Sequence, residues 1–182
     1  MVRTSKLLMM ATIMAAPLTA QTTSPTGGTT PEADASDVTT TDAIIAALYD
    51  VISGPAGEAR DWDRFRSLFL PEARLIPSFV RQGSPNPQAL VWSVEEYISG
   101  PGPSLEESGF FEREINSVEE RFENIAHRFS TYDSKRTPDG DVIAKGINSI
   151  QLLWDGERWW IVNIFWRGGG PNIEIPTKYR ND

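Results

Sequence analysis

The sequence predicts an α+β domain, with helices first and a meander of long antiparallel strands after them. Three observations carry this. Up to residue 69, apolar residues recur at intervals of three and four, the period of a helix packed on one face. From residue 110 onward the pattern changes to alternation and to apolar runs, the marks of strands. Short polar turns separate those runs: Glu123-Asn124, Asp139-Gly140-Asp141 and Asp155-Gly156-Glu157-Arg158.

Ala43, Ile44, Ile45, Ala47, Leu48, Val51 and Ile52 make one helical face, with Thr41 or Asp42 as N-cap and Gly54-Pro55 as the stop. Asp61 caps a second expected helix that carries Trp62, Phe65, Leu68 and Phe69 and ends at Pro71. Residues 74–80 read as a short strand broken by Pro77, 82–90 as a loop, and 94–98 as a third helix capped by Ser93 and ended by Gly100-Pro101-Gly102-Pro103. Four long strands are expected over 110–121, 125–132, 144–154 and 159–166, closed by Gly168-Gly169-Gly170-Pro171. The glycine triplet is no phosphate loop, since neither Lys-Ser/Thr nor a helix follows it. The last strand is apolar on both faces, with Trp160, Val162, Ile164 and Trp166 on one and Trp159, Ile161 and Phe165 around Asn163 on the other. A solvated sheet face should be polar. The helices are expected to cover one side and a second copy of the chain the other, as a homodimer. A covering loop or C-terminal tail is the alternative.

The 182 residues suit one domain plus extensions. Residues 1–20 read as a signal peptide: Arg3 and Lys6, an apolar stretch over 7–18 too short to span a bilayer, and a cut after Ala20. The product is then exported, periplasmic or secreted, and no second apolar run suggests a membrane partner once the signal is gone. Residues 21–40 are Thr, Ser, Pro, Gly and Asp with almost no large apolar side chain, and read as a disordered leader. Residues 41–180 form the domain. A net charge of −8 argues against nucleic acid as a partner. The absence of cysteine excludes disulfides, thiolate metal sites and cysteine nucleophiles, and a single histidine excludes any scheme needing two. No metal site and no cofactor are expected.

The order of elements resembles the nuclear-transport-factor-2-like superfamily, and within it the SnoaL-like group. The segments that carry the likeness are Asp61-Trp62-Asp63-Arg64-Phe65-Arg66-Ser67-Leu68-Phe69, then Pro71-Glu72-Ala73-Arg74-Leu75-Ile76, Phe111-Glu112-Arg113-Glu114, Gly146-Ile147-Asn148-Ser149-Ile150-Gln151-Leu152 and the hairpin ending Trp159-Trp160-Ile161-Val162. The resemblance implies a cone, a curved antiparallel sheet wrapped over the N-terminal helices with a pocket between them. Members range from isomerases, cyclases and hydrolases to plain binding proteins, so the fold does not name a role. Isomerase-like members place a carboxylate just after the first short strand. Here that stretch is Leu75-Ile76-Pro77-Ser78-Phe79, without one.

The expected partner is a small apolar or aromatic molecule. His127 is the one candidate catalytic residue, as a general acid or base, with a structural histidine in the sheet as the competing reading. Asn148 and Asn163 are amides inside apolar strands and need partners, a ligand or the sheet itself. Tyr132 and Asp133 are candidates to orient a ligand, with strand-end packing and a solvated turn as the competing reading, and Trp62, Trp92 and Trp166 are expected to line an aromatic pocket or its mouth, with the core as the alternative. Glu112 and Glu114 share a strand face. Alternation with Phe111 and Ile115 suggests that they face water or pair with an arginine such as Arg128. Three functions therefore stand open: a binding protein, an enzyme using His127, and a homodimeric interaction module.

Overall fold

The computed structural model describes residues 30–180. The expected signal peptide and the first part of the leader lie outside the described residues. Five short helices precede or interrupt the sheet: α1 (Ala35–Val38), α2 (Thr41–Ile52), α3 (Trp62–Ser67), α4 (Val94–Ser99) and α5 (Gly102–Ser108). The strands are β1 (Phe69–Val80), β2 (Pro87–Ala89), β3 (Phe111–Phe122), β4 (Ile125–Lys135), β5 (Val142–Trp154) and β6 (Trp159–Gly169). They form one sheet in the order β2-β1-β6-β5-β4-β3, antiparallel except where β1 runs parallel to β6. The sheet curves around α2, which touches both the edge strand β3 and the inner strand β6. Ile44, Ile45 and Leu48 of α2 share one core with Ile150, Leu152 and Ile161 of the sheet.

The α2 cap falls one residue before the expected Thr41 or Asp42: the Thr40 side chain accepts from the Ala43 N–H. Asp61 caps α3 as expected, accepting from Arg64. Ser93 and Glu96 close a reciprocal capping box on α4. Arg60 is buried and donates to the carbonyls of Ile52, Gly54, Glu58 and Leu105, which ties the loop after α2 to α5.

Four expectations need correction. The leader expected over 21–40 does not hold at its C-terminal end: α1 folds there because Val38 reaches the core and Asp37 pairs with Arg64 at 2.7 Å. The strand expected at 74–80 begins at Phe69 and runs on through Pro77, which loses only its own N–H from the ladder. Part of the expected 82–90 loop is β2. The stretch expected only to end α4 does end it, with Gly100 as C-cap, but also opens α5, with proline in the first turn where no N–H is needed.

Two β-bulges decide which side chains enter the cone. Between β5 and β6, Leu152 pairs with Ile161 but Gln151 pairs with Asn163, so Val162 is extra. The inner face of β6 is therefore Trp159 and Ile161, then Ile164 and Trp166, mixing the two faces that strict alternation predicts. Between β3 and β4, Glu114 pairs with Tyr132 and Asn116 with Thr131, so Ile115 is extra. The outer face of the sheet is covered in part by the chain's own C-terminal segment. Tyr179 packs its ring on Phe129 at 4.8 Å and accepts a hydrogen bond from Thr131 at 2.6 Å.

Tyr132 lies flat across two neighbouring strands. A Cβ on Gly168 would stand 2.4 Å from its hydroxyl, and one on Gly146 2.6 Å from it and 2.5 Å from the Arg167 carbonyl. These glycines make room for the ring. We expect Gly168→Ala to destabilise the domain by about 1–3 kcal/mol through overpacking. In a Tyr132→Phe background, where the clashing oxygen is gone, the same change should cost under about 1 kcal/mol. Chemical denaturation of the four proteins in this cycle measures both.

Candidate functional site

Inside the cone, between the helices and the sheet, lies a cavity of about 220 Å³. Leu48 and Ile52 of α2, Phe65 of α3, Leu75 of β1, Phe110 and Ile164 supply an apolar wall. Trp166 and Ala144 complete it from the sheet. Six polar side chains enter the same space: Tyr49 from α2, Tyr97 from α4, Glu112 from β3, Tyr132 and Ser134 from β4, and Asn148 from β5. A second hollow of about 300 Å³ opens beyond Glu112 and Tyr49, lined by Asp50, Ser53, Arg113, Asp133 and Lys135.

A polarised chain of hydrogen bonds links the cavity to the rim. Asn148 Nδ2 donates to the Tyr49 hydroxyl at 3.0 Å, Tyr49 and Ser130 meet at 2.7 Å, and Ser130 donates to Glu114 at 2.5 Å. Arg128 holds Glu114 through Nε at 2.9 Å and through a second, shorter bond from Nη2. It also reaches Asp42 at 2.6 Å and Glu119 at 3.1 Å. Charge-assisted, two-pronged pairing of this kind makes a firm anchor in a buried position.

Burial pushes the Glu112 carboxyl up to about 8; the Asn148 amide beside it offsets part of that rise, and Asp133 adds to it. At neutral pH the carboxyl is thus mainly un-ionised. Burial also raises Tyr49, Tyr97 and Tyr132 well above the usual phenol range. The cavity therefore presents phenols, a neutral carboxyl and an amide to its contents, a surface suited to a neutral molecule with few polar atoms. Among the described residues no group of three or more His, Asp or Glu side chains clusters as metal ligands do.

The structure brings Tyr132, Asn148 and Trp166 together around the cavity and places four other candidates elsewhere. His127 is on the outer face of β4, bonded to Ser149 at 2.9 Å and edge-on to Phe129. Alternation puts Ala126 and Arg128 inward and so turns His127 away from the cavity. Asn163 sits at the β6 bulge, paired with Gln151 and facing out. Trp62 bonds Glu106 at 2.8 Å and packs on Phe65, off the cavity. Trp92 stands behind the wall, its ring 6.2 Å from Trp166 and 6.4 Å from Tyr97. Three cavity residues escaped the sequence reading. Alternation turns Glu112 to water or to an arginine, whereas the polar side of β3 is the inner side. Tyr49 and Tyr97 lie within apolar helical stripes, Ile45-Leu48-Ile52 and Val94-Ile98, and a polar tip within such a stripe was the available signal.

The helices sit in the hollow of a curved six-stranded sheet, an α+β cone of the shape that the sequence resemblance implies. Solved structures resemble the chain at low sequence identity. A protein of unknown function with a cystatin-like fold from Nostoc punctiforme matches with a TM-score of 0.53 at 11% identity, covering 70% of this chain and 86% of that one. An NTF2-like protein of unknown function from Silicibacter pomeroyi gives 0.48 at 15% identity, covering 70% and 92%. One from Methylobacillus flagellatus gives 0.46 at 16% identity, covering 72% and 95%. At 11% identity the likeness to the Nostoc protein concerns the fold alone. No family model matches the chain, and no curated protein matches it.

The raised Glu112 carboxyl has a consequence for stability. The native state keeps a proton that the unfolded chain releases near pH 4.5, so Glu112 makes stability fall as pH rises from about 4.5 to about 8. Around it stand Tyr49 of α2, Tyr97 of α4, Tyr132 and Asp133 of β4, and Asn148 of β5. Denaturant midpoints measured across this range should show Glu112→Gln less sensitive to pH than the parent, by up to about 1.4 kcal/mol per pH unit. Parallel curves would show that Glu112 ionises normally.

Proposed function

We propose that this chain is an exported binding protein whose cone holds one small, largely apolar molecule. The cavity of about 220 Å³, apolar on most sides with a few inward polar groups, carries the reading. A dry cavity of about 150 Å³ accommodates benzene, so this one suits a single substituted ring. Export rests on Arg3, Lys6 and the apolar stretch over 7–18. A catalytic role for His127 finds no support in the cavity, because the imidazole is on the other side of the sheet.

Thermal unfolding with benzyl alcohol tests the binding reading. A ligand at about one hundred times its Kd stabilises by about 2.7 kcal/mol, a rise of a few degrees in Tm at this size. Ala144→Phe, which fills the cavity from β5, should abolish the rise. An equal rise in the filled variant would place binding elsewhere.

A second reading, a homodimer across the outer sheet face, draws on Phe122, Ile125 and Phe165, which are large, apolar and exposed there, Phe165 beside the C-terminal segment. Sedimentation should then show a concentration-dependent dimer that Phe165→Glu converts to monomer. A monomer at all concentrations would end this reading.

A further inference from the structure

The hydrogen-bond chain that runs from the rim into the cavity has a direction, and the direction sets the chemistry at its inner end. Glu114 is paired with Arg128 and can only accept. The single proton of Ser130 is thereby committed to Glu114. Ser130 must then accept from Tyr49, and Tyr49, its own proton committed, must accept from Asn148. Only the amide nitrogen of Asn148 can serve there. The polarity of the chain thus assigns which end of the amide faces Tyr49.

Asn148 is nine-tenths buried, so the rest of its amide matters. The same amide lies beside the Glu112 carboxyl. The carbonyl oxygen Oδ1 has no hydrogen-bond partner among the described residues, and Asn148 lines the cavity. No buried side-chain nitrogen or oxygen among the described residues is both sealed from solvent and unpartnered, so Oδ1 is open to the cavity space. The hydroxyls of Tyr97 and Tyr132 each donate or accept as a guest requires, and a neutral carboxyl does the same. Asn148 Oδ1 is different because it only accepts and is not free to turn away.

We propose that Asn148 is the specificity-determining residue of the cavity, held by the Glu114–Ser130–Tyr49 chain with Oδ1 presented inward, and that it selects small molecules carrying a hydroxyl or N–H donor. This rests on the reading of the cone as a binding cavity. Ser130 touches no ligand; it is a positioning residue that acts through Tyr49. Without its proton bridge, Tyr49 is free to donate to Asn148 and the amide is free to flip. The cavity then offers N–H where it had offered oxygen.

The test compares benzyl alcohol with benzyl methyl ether, which share a ring and an oxygen but differ in the donor. Titration calorimetry on the parent, Ser130→Ala, Ser130→Thr and Tyr49→Phe gives the ratio of the two affinities. The parent should favour the alcohol, and Ser130→Ala should reduce that ratio by roughly five- to tenfold, about the worth of one hydrogen bond. Ser130→Thr, which keeps the hydroxyl, should restore it, and Tyr49→Phe should behave as Ser130→Ala does. Since a packing defect alone would weaken both ligands together, the ratio separates positioning from damage. Nitrogen–proton correlation spectra of the free protein add a measure independent of any ligand: the Asn148 side-chain amide protons should exchange slowly in the parent and faster in Ser130→Ala. A ratio unmoved across the variants, with both compounds bound, overturns this inference and leaves the binding cavity standing. If neither compound binds the parent, both readings fall.

Discussion

Glu114 belongs to an edge strand, where a charged side chain would ordinarily turn to water. Its carboxylate instead turns into the cone, where the Arg128 guanidinium meets it through two nitrogens and also gathers Asp42 and Glu119. Removing either partner would leave an uncompensated buried charge, which is far more costly than the pair is worth. Through Asp42 the same guanidinium reaches the start of α2. Through Ser130 and Tyr49 the rim sets the polarity of the amide inside the cavity.

The cavity wall is a compromise between packing and openness. Ile150, Leu152 and Ile161 are fully buried against α2 and supply the hydrophobic stabilisation. A few residues further along the same strands, Asn148, Ala144 and the two glycines beneath Tyr132 are small or polar and leave space. One end of the cone is thus solid and the other hollow. Glu112 and Tyr49 stand where the hollow meets the more polar recess outside it. A carboxyl there remains neutral over much of the physiological range, so the inner surface carries no fixed charge and favours uncharged contents.

The outer face shows how a chain can meet one need in two ways. An apolar outer surface on β4, β5 and β6 needs a cover, and the C-terminal segment supplies part of it through Ile175 and Tyr179. His127 lies on this side, in contact with Ser149 and Phe129. Its place is one residue of alternation away from the interior. That single step separates a candidate acid or base from a residue of the sheet surface.

Local pattern was enough for the helices near 41–52 and 62–67, the Asp61 and Ser93 caps, the four long strands and their turns, because spacing and capping act over a few residues. Asn148, Tyr132 and Trp166 stood out in the same way, since polar or aromatic groups in apolar strands need a partner or a space. The faces of β3 and β6 were beyond it. Strict alternation fails at Ile115 and Val162, where a bulge is set by how one strand meets its neighbour across the curved sheet. Glu112 was misread for a related reason: a polar stripe looks the same whether it meets water or a helix that brings its own arginine-bound carboxylates. Residues near in sequence determined which elements form. Which side of each strand faces in, and hence which of these side chains share a cavity, was decided only when strands and helix packed together, because inside and outside exist only once the cone has closed.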